Sequence, residues 1–575
     1  MRKTGVETLA GGGLVDWETI VGRVHSDAWR RGCGSEGHRV VSRRTLSEQH
    51  VRRRTGFFER ATVLRFRIHD PKGPDGTGSA GAWVLRSAYL VGTDGRPTAG
   101  KVGTKGQTIV CVPERDQAVG LALLVDAGAA GRMVLQTCFL PQQDEPYELF
   151  VEIARWLIKQ FILQSESWQM WNPLLSGEAL NQWDSAREAF RMALREPDPL
   201  TAETCARDAI SKGVAAAERL AERHSHFLLV RRFARKAIDN GACGLCIDPT
   251  TVAPRGMAAT VAKQFGVLAL RTPWRAIEAK AGKPDFSAID AWVQWAHAEK
   301  KPVVLGPIID FGPSDRGGAC AIPDHVMAHH GDAKKFRELV WNHARLVSAR
   351  YAAVTPFFVV ASGANLPSWR NDGIERMLEL LRTANAAVRD ARRDAKTILE
   401  LQSPGAEHWC GAKGAAWPTS FLQRVVGENL GFFAAGVRVV EALGQDPVRE
   451  FLTIADLLDG YLGRDVPIFV SGFGVPSSGD GGDGGCWHGQ WTPESQARWG
   501  GEMLKIALAR KWIEGAWWSR LQDTATATDG LLDAQGRAKP VLDELLGLRH
   551  RLTHGDARGT DPDDDVHPEM RGARA

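Results

Sequence analysis

From residue 238 to about residue 550 the chain alternates short, almost unbroken apolar runs with longer stretches of helical period. The runs at 242–247, 267–270, 303–309, 357–361, 397–401, 436–440, 467–470 and 513–518 read as strands buried on both faces. Between them, residues 286–299, 337–351, 374–393, 454–462 and 494–510 carry the spacing of helices. The unit is plainest from 264 to 311, where two apolar runs flank one helix, the grammar of parallel pairing with a right-handed crossover. Eight such repeats predict an α/β protein built on a closed (β/α)8 TIM barrel over 238–550. An open nucleotide-binding sheet is disfavoured because no glycine-rich phosphate fingerprint follows the first strand.

The front of the chain follows other periods. Residues 1–145 are β-rich, with runs at 62–68, 82–91, 108–112, 119–125 and 133–139 punctuated by Gly, Pro and Asp, the spacing of a β-sandwich. Such a domain beside a barrel has either a structural or a carbohydrate-binding role. From 146 to 237 the period becomes helical: Leu149, Ile153, Trp156, Leu157 and Phe161 share one face, and further helices are expected near 182–195 and 202–237. Asp198, Pro199 and Thr201 supply the break and restart between those two. Trp156, Trp168, Trp171 and Trp183 read as packing residues of this helical connector. The polar tail, 551–575, reads as disordered.

Composition narrows the class. At 575 residues and 43% hydrophobic content, the chain has room for several cores. Its net charge is only +4, with the excess in residues 1–60, which hold 12 Lys/Arg against 7 Asp/Glu. That balance leaves no nucleic-acid or membrane-surface footprint. Nine scattered cysteines, an odd number, suit a reducing compartment. The opening MRKTGVETLAGGGLVDW lacks the apolar core of a secretory signal, and no apolar run reaches the roughly 18 residues of a membrane span. A soluble cytoplasmic protein is expected.

In a barrel, chemistry gathers at the C-terminal strand ends and the loops after them. That rule selects Asp248; Arg271, Trp274 and Glu278; Asp310 and Asp315; Ser362 and Asn365; Glu400, Glu407, His408 and Trp409; Glu441; Ser471 and the glycine-rich loop after it; and Trp517, Trp518, Arg520 and Asp523. A rim this rich in indole and carboxylate suits a sugar, whose apolar face stacks on rings and whose hydroxyls take paired donors and acceptors. Within the glycine-rich loop, His488 between Trp487 and Trp491 is the histidine best placed to touch a ligand.

The segment LALRTPWRAIEAKAGKPDFSAIDAWVQWA resembles the second-strand region of clan A glycoside hydrolases, family 10 in particular. IEGAWWSRLQDTATATDGLLDAQGRAKPVLDEL is similar to that family's last strand and closing helix. The resemblance spans about 238–548 and implies a (β/α)8 hydrolase of O-glycosyl bonds in β-linked poly- or oligosaccharides. It places Trp274 and Glu278, and Trp517 or Trp518 with Asp523, as supporting elements. The family's acid/base glutamate ends strand four and its nucleophile ends strand seven. Here those stretches read FFVVASGANLPSW and PIFVSGFGVPS, so Gly363 and Gly472 fall where glutamates are expected.

Glycoside hydrolysis needs two carboxyl groups, one with a raised pKa. Glu407 and Glu400, in LELQSPGAEHWCG, are the relocated pair the sequence suggests, with Asp310 and Glu441 as further candidates. Arg271, Trp274, Glu278, Asp310, Asn365, Trp487, His488, Trp518, Arg520 and Asp523 are the expected substrate contacts. The alternative is an inactive barrel that binds carbohydrate or a protein partner.

Remaining motifs carry less. Cys243 and Cys246 lie on a strand where positions i and i+3 face opposite ways, so they read as buried thiols. The group Asp324, His325, His329, His330 and Asp332 fits no standard metal spacing. Asp480 and Asp483 lack the twelfth-position Glu of a calcium loop, and their segment reads as a mobile lid. No cofactor or metal is expected.

Overall fold

The structure, a computed structural model, describes residues 63–69, 88–234, 237–312, 321–366, 373–405, 416–443 and 446–556. The expected strand positions before 63, most of the run at 82–91, and Asp315, Glu407, His408, Trp409 and the tail beyond 556 lie outside the described residues. Residues from Ala61 onward cluster as one compact unit.

Eight parallel strands close a barrel: β1 (Cys243–Ile247), β2 (Val267–Leu270), β3 (Val303–Leu305, continued by Ile309–Asp310), β4 (Phe357–Ser362), β5 (Lys396–Leu401), β6 (Ala434–Val440), β7 (Ile468–Gly474) and β8 (Ile513–Trp518). Their order is β3-β2-β1-β8-β7-β6-β5-β4, and β3 pairs with β4 to complete the ring through Leu305↔Phe358 and Asp310↔Ser362. Helices cover the outside while side chains fill the inside, so β1, β2 and β4 are buried at every position. That double burial is why these strands show as continuous apolar runs. Where β3 crosses close to β4, Gly306 has φ +132°, and a Cβ there would lie 2.1 Å from the Val359 carbonyl oxygen. Only glycine fits that approach.

Three helices precede the barrel: α1 (Leu149–Ser167), α2 (Pro173–Arg195) and α3 (Pro199–Phe233). The start of α3 is set by sequence. The Asp198 side chain accepts from the Thr201 amide at 2.9 Å, and Pro199 occupies the first turn, where a missing N–H costs nothing. The small residues Ala206, Ala209, Gly213, Ala216 and Ala217 let α3 pack closely, and Gly213 sits against Leu157 of α1. Trp183 stacks on Phe161 at 5.6 Å and Trp168 on His224 at 4.2 Å, as packing residues do.

The front forms two sheets. Leu64–Arg67, Gly100–Lys105, Thr108–Pro113 and Tyr147–Glu148 make one of four strands. The other joins Tyr89–Gly92, Pro97–Thr98, Val119–Asp126 and Gly131–Gln136 to Cys486–Trp487, a strand contributed by the barrel's seventh loop. The glycine-rich loop is therefore stitched down and is no lid. Cys486 pairs with Arg132 and Trp487 with Gly131, and an Arg132 guanidinium nitrogen donates to the Asp480 carbonyl at 2.7 Å. Gly131 (φ +98°) permits the approach, since a Cβ there would meet the Cys486 carbonyl oxygen at 2.3 Å.

Candidate active site at the barrel mouth

Side chains alternate along a strand, so Glu400 and Gln402 project from the same side of the β5 segment. Register puts Ser362, Glu400 and Gly436 level on β4, β5 and β6. Because Gly436 has no side chain, Ser471 reaches over it from β7; a Cβ at 436 would lie 2.6 Å from the Ser471 hydroxyl. Glu400, only 4% exposed, thus accepts from the Ser362 hydroxyl on one oxygen and the Ser471 hydroxyl on the other, both at 2.7 Å. Two donors on a buried carboxylate are what its burial requires.

The network continues outward. The Gln402 side-chain amide donates to Ser362 at 2.7 Å and to Asp310 at 3.3 Å. Asn365 fixes the Gln402 backbone from both sides, donating to its carbonyl at 2.9 Å and accepting from its amide at 3.1 Å. Asp310 also accepts from the Gly312 amide at 2.9 Å and faces Arg271 at 3.4 Å. Asp310 and Glu400 are thus joined by three short links, which hold their oxygens no farther apart than the roughly 6.5 to 9.5 Å typical of inverting carboxylate pairs.

At the end of β4 and midway along β7 the inward side chains are the two serines, Ser362 and Ser471. Gly363 has φ +69° and turns the chain away, and Gly472 lies opposite Arg438. A second carboxyl enters from the loop after β6: Asp446 accepts from the Ser403 hydroxyl at 2.6 Å. Burial pushes its pKa up from 3.8 to about 6, against the opposing pull of Ser403 and Arg438. Glu441, at the end of β6 and 3% exposed, accepts from the Arg449 amide at 3.3 Å; burial holds it well above the usual carboxylate range, and Asp446 and Glu450 add to that. Ser403 (φ +46°) and Ala442 (φ +57°), both non-glycine residues, hold left-handed backbone in these two loops. Beneath them, Cys246 donates to the Ser471 carbonyl at 3.3 Å, and burial pushes its thiol up to about 12, which makes it inert.

No protein-family profile and no curated protein matches the chain. Solved structures match the barrel half. Xylanase 10B from Thermotoga maritima is 12% identical over 57% of this chain and 98% of its own, with a TM-score of 0.42. Xylanase B from Clostridium stercorarium F9 is 14% identical over 55% and 98%, at 0.41. A psychrophilic family 10 endo-beta-1,4-xylanase is 13% identical over 55% and 98%, at 0.40. The likeness to glycoside hydrolase family 10 is one of fold.

Of the residues expected from sequence, Arg271, Asp310, Asn365 and Glu400 come together at the mouth. Others form separate local structures. Trp274 stacks on His343 at 4.0 Å and donates to Glu278, whose other oxygen accepts from the Gly282 amide at 2.8 Å, fixing the second loop. After β8, Asp523 holds Lys539 at 2.9 Å; burial raises the Asp523 pKa and lowers that of Lys539. Asp529 accepts from Ser519 at 2.7 Å and from Arg520 at 2.6 Å, and its carbonyl takes the Trp518 N–H at 2.8 Å. Trp518, 1% exposed, packs against Gly500 of the outer helix Pro493–Ala509.

Trp487 and His488 turn away from the mouth. The Trp487 N–H donates to Glu218 of α3 at 2.6 Å, and His488 shares that carboxylate's other oxygen at 2.8 Å. Asp324 pairs with Arg275 at 2.7 Å, and Asp332 caps the helix Ala333–Tyr351. No group of three or more potential metal ligands occurs among the described residues, and no described helix is long and apolar enough to cross a membrane. Sequence reasoning missed Gln402, Arg438, Ser403 and Asp446. Gln402 had a signal, two residues beyond Glu400 on the same strand face; Asp446 sits in an irregular loop and had none.

Proposed function

We propose that the barrel mouth binds a β-linked poly- or oligosaccharide and hydrolyses its O-glycosidic bond through two carboxyl groups. The observation that carries this reading is the contrast between Asp310 and Asp446. Both are partly exposed and so can reach a ligand. Asp310 faces the Arg271 guanidinium, whereas burial pushes Asp446 up to about 6. Glycoside hydrolysis divides its two carboxyls into a proton donor and an anionic partner, and a carboxyl that keeps its proton by burial suits the first role while one beside an arginine suits the second. In this scheme Asp446 protonates the departing oxygen and Asp310 serves as the anion. Glu400, with both oxygens held by serines, is a positioning residue that sets Ser362 and Gln402. Arg271, Gln402 and Asn365 supply the mixed donors and acceptors that sugar hydroxyls take. Glu407 stands as the additional candidate acid.

Glycine at 363 and 472, where the family resemblance expects glutamates, favours a second reading, a barrel that binds carbohydrate or a protein partner without turnover. A fluorogenic β-glycoside panel run beside a glycan-binding assay separates the two. The hydrolase reading expects turnover that falls by about 10²-fold or more in Asp446→Asn and Asp310→Asn. Binding without turnover in the wild type supports the second reading. Full activity in both variants removes these assignments, and a loss confined to Glu407→Gln moves the acid to Glu407.

A further inference from the structure

A cavity of about 520 Å³ lies between the front sheet, α1 and the outer ends of the barrel's fifth and sixth repeats. Its size is that of a small-ligand site, and sites of this kind favour junctions between substructures. Its polar groups are unevenly spent. The wall carboxylates are occupied: Glu450 by the amides of the helix it caps, Asp456 by Gln164 at 2.6 Å, and Asp459 by Arg510 at 2.6 Å and the Trp168 N–H at 3.2 Å. The donors are not. The side-chain amide of Gln136, the indole N–H groups of Trp156 and Trp417 and the guanidinium of Arg96 line the cavity without a hydrogen-bond partner among the described residues. Tyr461, also on the wall, has a buried hydroxyl with no partner there.

Half-buried Gln136, Trp156 and Trp417 and exposed Arg96 leave their donors available to a ligand rich in acceptor oxygens, and two indoles offer it apolar faces. We propose that this cavity is a second ligand site, separate from the barrel mouth, for a sugar of one or two residues. Gln136 and Arg96 donate to ring or hydroxyl oxygens, and Trp156 and Trp417 offer the stacking surface. Gln136 comes from the front sheet and Trp417 from the barrel, so a bound sugar bridges the two.

Isothermal titration of the full chain with xylobiose, cellobiose, maltose, lactose and glucuronate, with sulfate as a non-sugar anion, tests this. The background is Asp310→Asn/Arg271→Ala, which stops turnover and removes a sugar contact from the mouth; binding that stays at the mouth is insensitive to the cavity variants below. At least one sugar is expected to bind this background at millimolar concentration or below. The added pair Arg96→Ala/Gln136→Ala is expected to weaken it about ten-fold or more. The proposal is overturned if no sugar binds this background, if sulfate alone binds, or if the cavity variants bind with unchanged affinity.

Discussion

Glu450→Gln isolates the cost of a buried carboxylate in the turn that enters the helix Phe451–Asp459. Glu450 is 1% exposed and caps that helix, accepting from the amides of Leu452 and Thr453 and from the Thr453 hydroxyl. Those bonds lower its pKa, yet burial outweighs them and, with Glu218 adding, pushes it from 4.5 up to about 7. The folded state thus holds this proton more tightly than the unfolded state. The group's contribution to stability is complete below pH 4.5 and is lost as pH rises through about 7. At about 1.4 kcal/mol per pKa unit the whole shift amounts to about 3 kcal/mol, most of which falls between pH 5 and 8. Glutamine stays neutral and keeps one acceptor for the cap, at a loss of about 1 kcal/mol. The variant should match the wild type at pH 5 and exceed it by about 2 kcal/mol at pH 8. Urea denaturation of both chains at pH 5, 6.5 and 8, followed by tryptophan fluorescence, reads the difference; groups that do not feel Glu450 cancel, and relief of the repulsion on Glu441 adds in the same direction. A gap that stays constant with pH, or a variant less stable at pH 8, refutes the reasoning.

Three further outcomes follow from the same geometry. Glu218→Leu leaves the buried Trp487 N–H without an acceptor, at about 1–3 kcal/mol, and releases the more exposed His488 ring to water; it should open the loop around 475–491 to limited proteolysis before global unfolding. Ser362→Ala and Ser471→Ala each strip one donor from Glu400 and should each lower stability by about 1.5–3 kcal/mol; the double variant should depart from additivity, since both act on one carboxylate. If Asp446 is the proton donor, turnover should decline as pH rises through about 6, and residual turnover in Asp446→Asn should lack that limb; a wild-type profile flat from pH 5 to 8 removes Asp446 from the role.

The eight barrel strands were legible because burial on both faces leaves few polar positions to interrupt the run, and because helices of clear period separate them. The Asp198–Pro199 break was legible for a local reason too, a cap and a fixed φ. What escaped depends on partners far away in sequence. Cys486–Trp487 is a two-residue strand whose only signal is its pairing with Gly131 and Arg132, some 350 positions earlier. Trp487 and His488 had the look of ligand contacts because aromatic and imidazole groups beside a glycine loop suit a site. Their actual partner, Glu218, belongs to a helix that local pattern describes only as a connector. Glu400 was legible as a barrel-mouth carboxylate. Its saturation by Ser362 and Ser471 depends on Gly436 being empty between them, a register effect that no single strand contains.

The same long-range contacts give the front sheet a part in the mouth. The Val134 amide donates to the Val448 carbonyl at 2.8 Å, and the Val448 amide donates to the Gly484 carbonyl at 2.8 Å. Val448 lies two residues from Asp446 in the loop after β6. The sixth and seventh loops are therefore tied to each other and to the strand Gly131–Gln136. A carboxyl on a free loop would sample water and relax toward its ordinary pKa; one held by a sheet stays buried beside Ser403 and keeps its proton to higher pH. On that argument the front sheet supports the raised pKa that the proposed proton donor Asp446 uses, and the wall it lends to the cavity at Gln136 is continuous with the strand that does so.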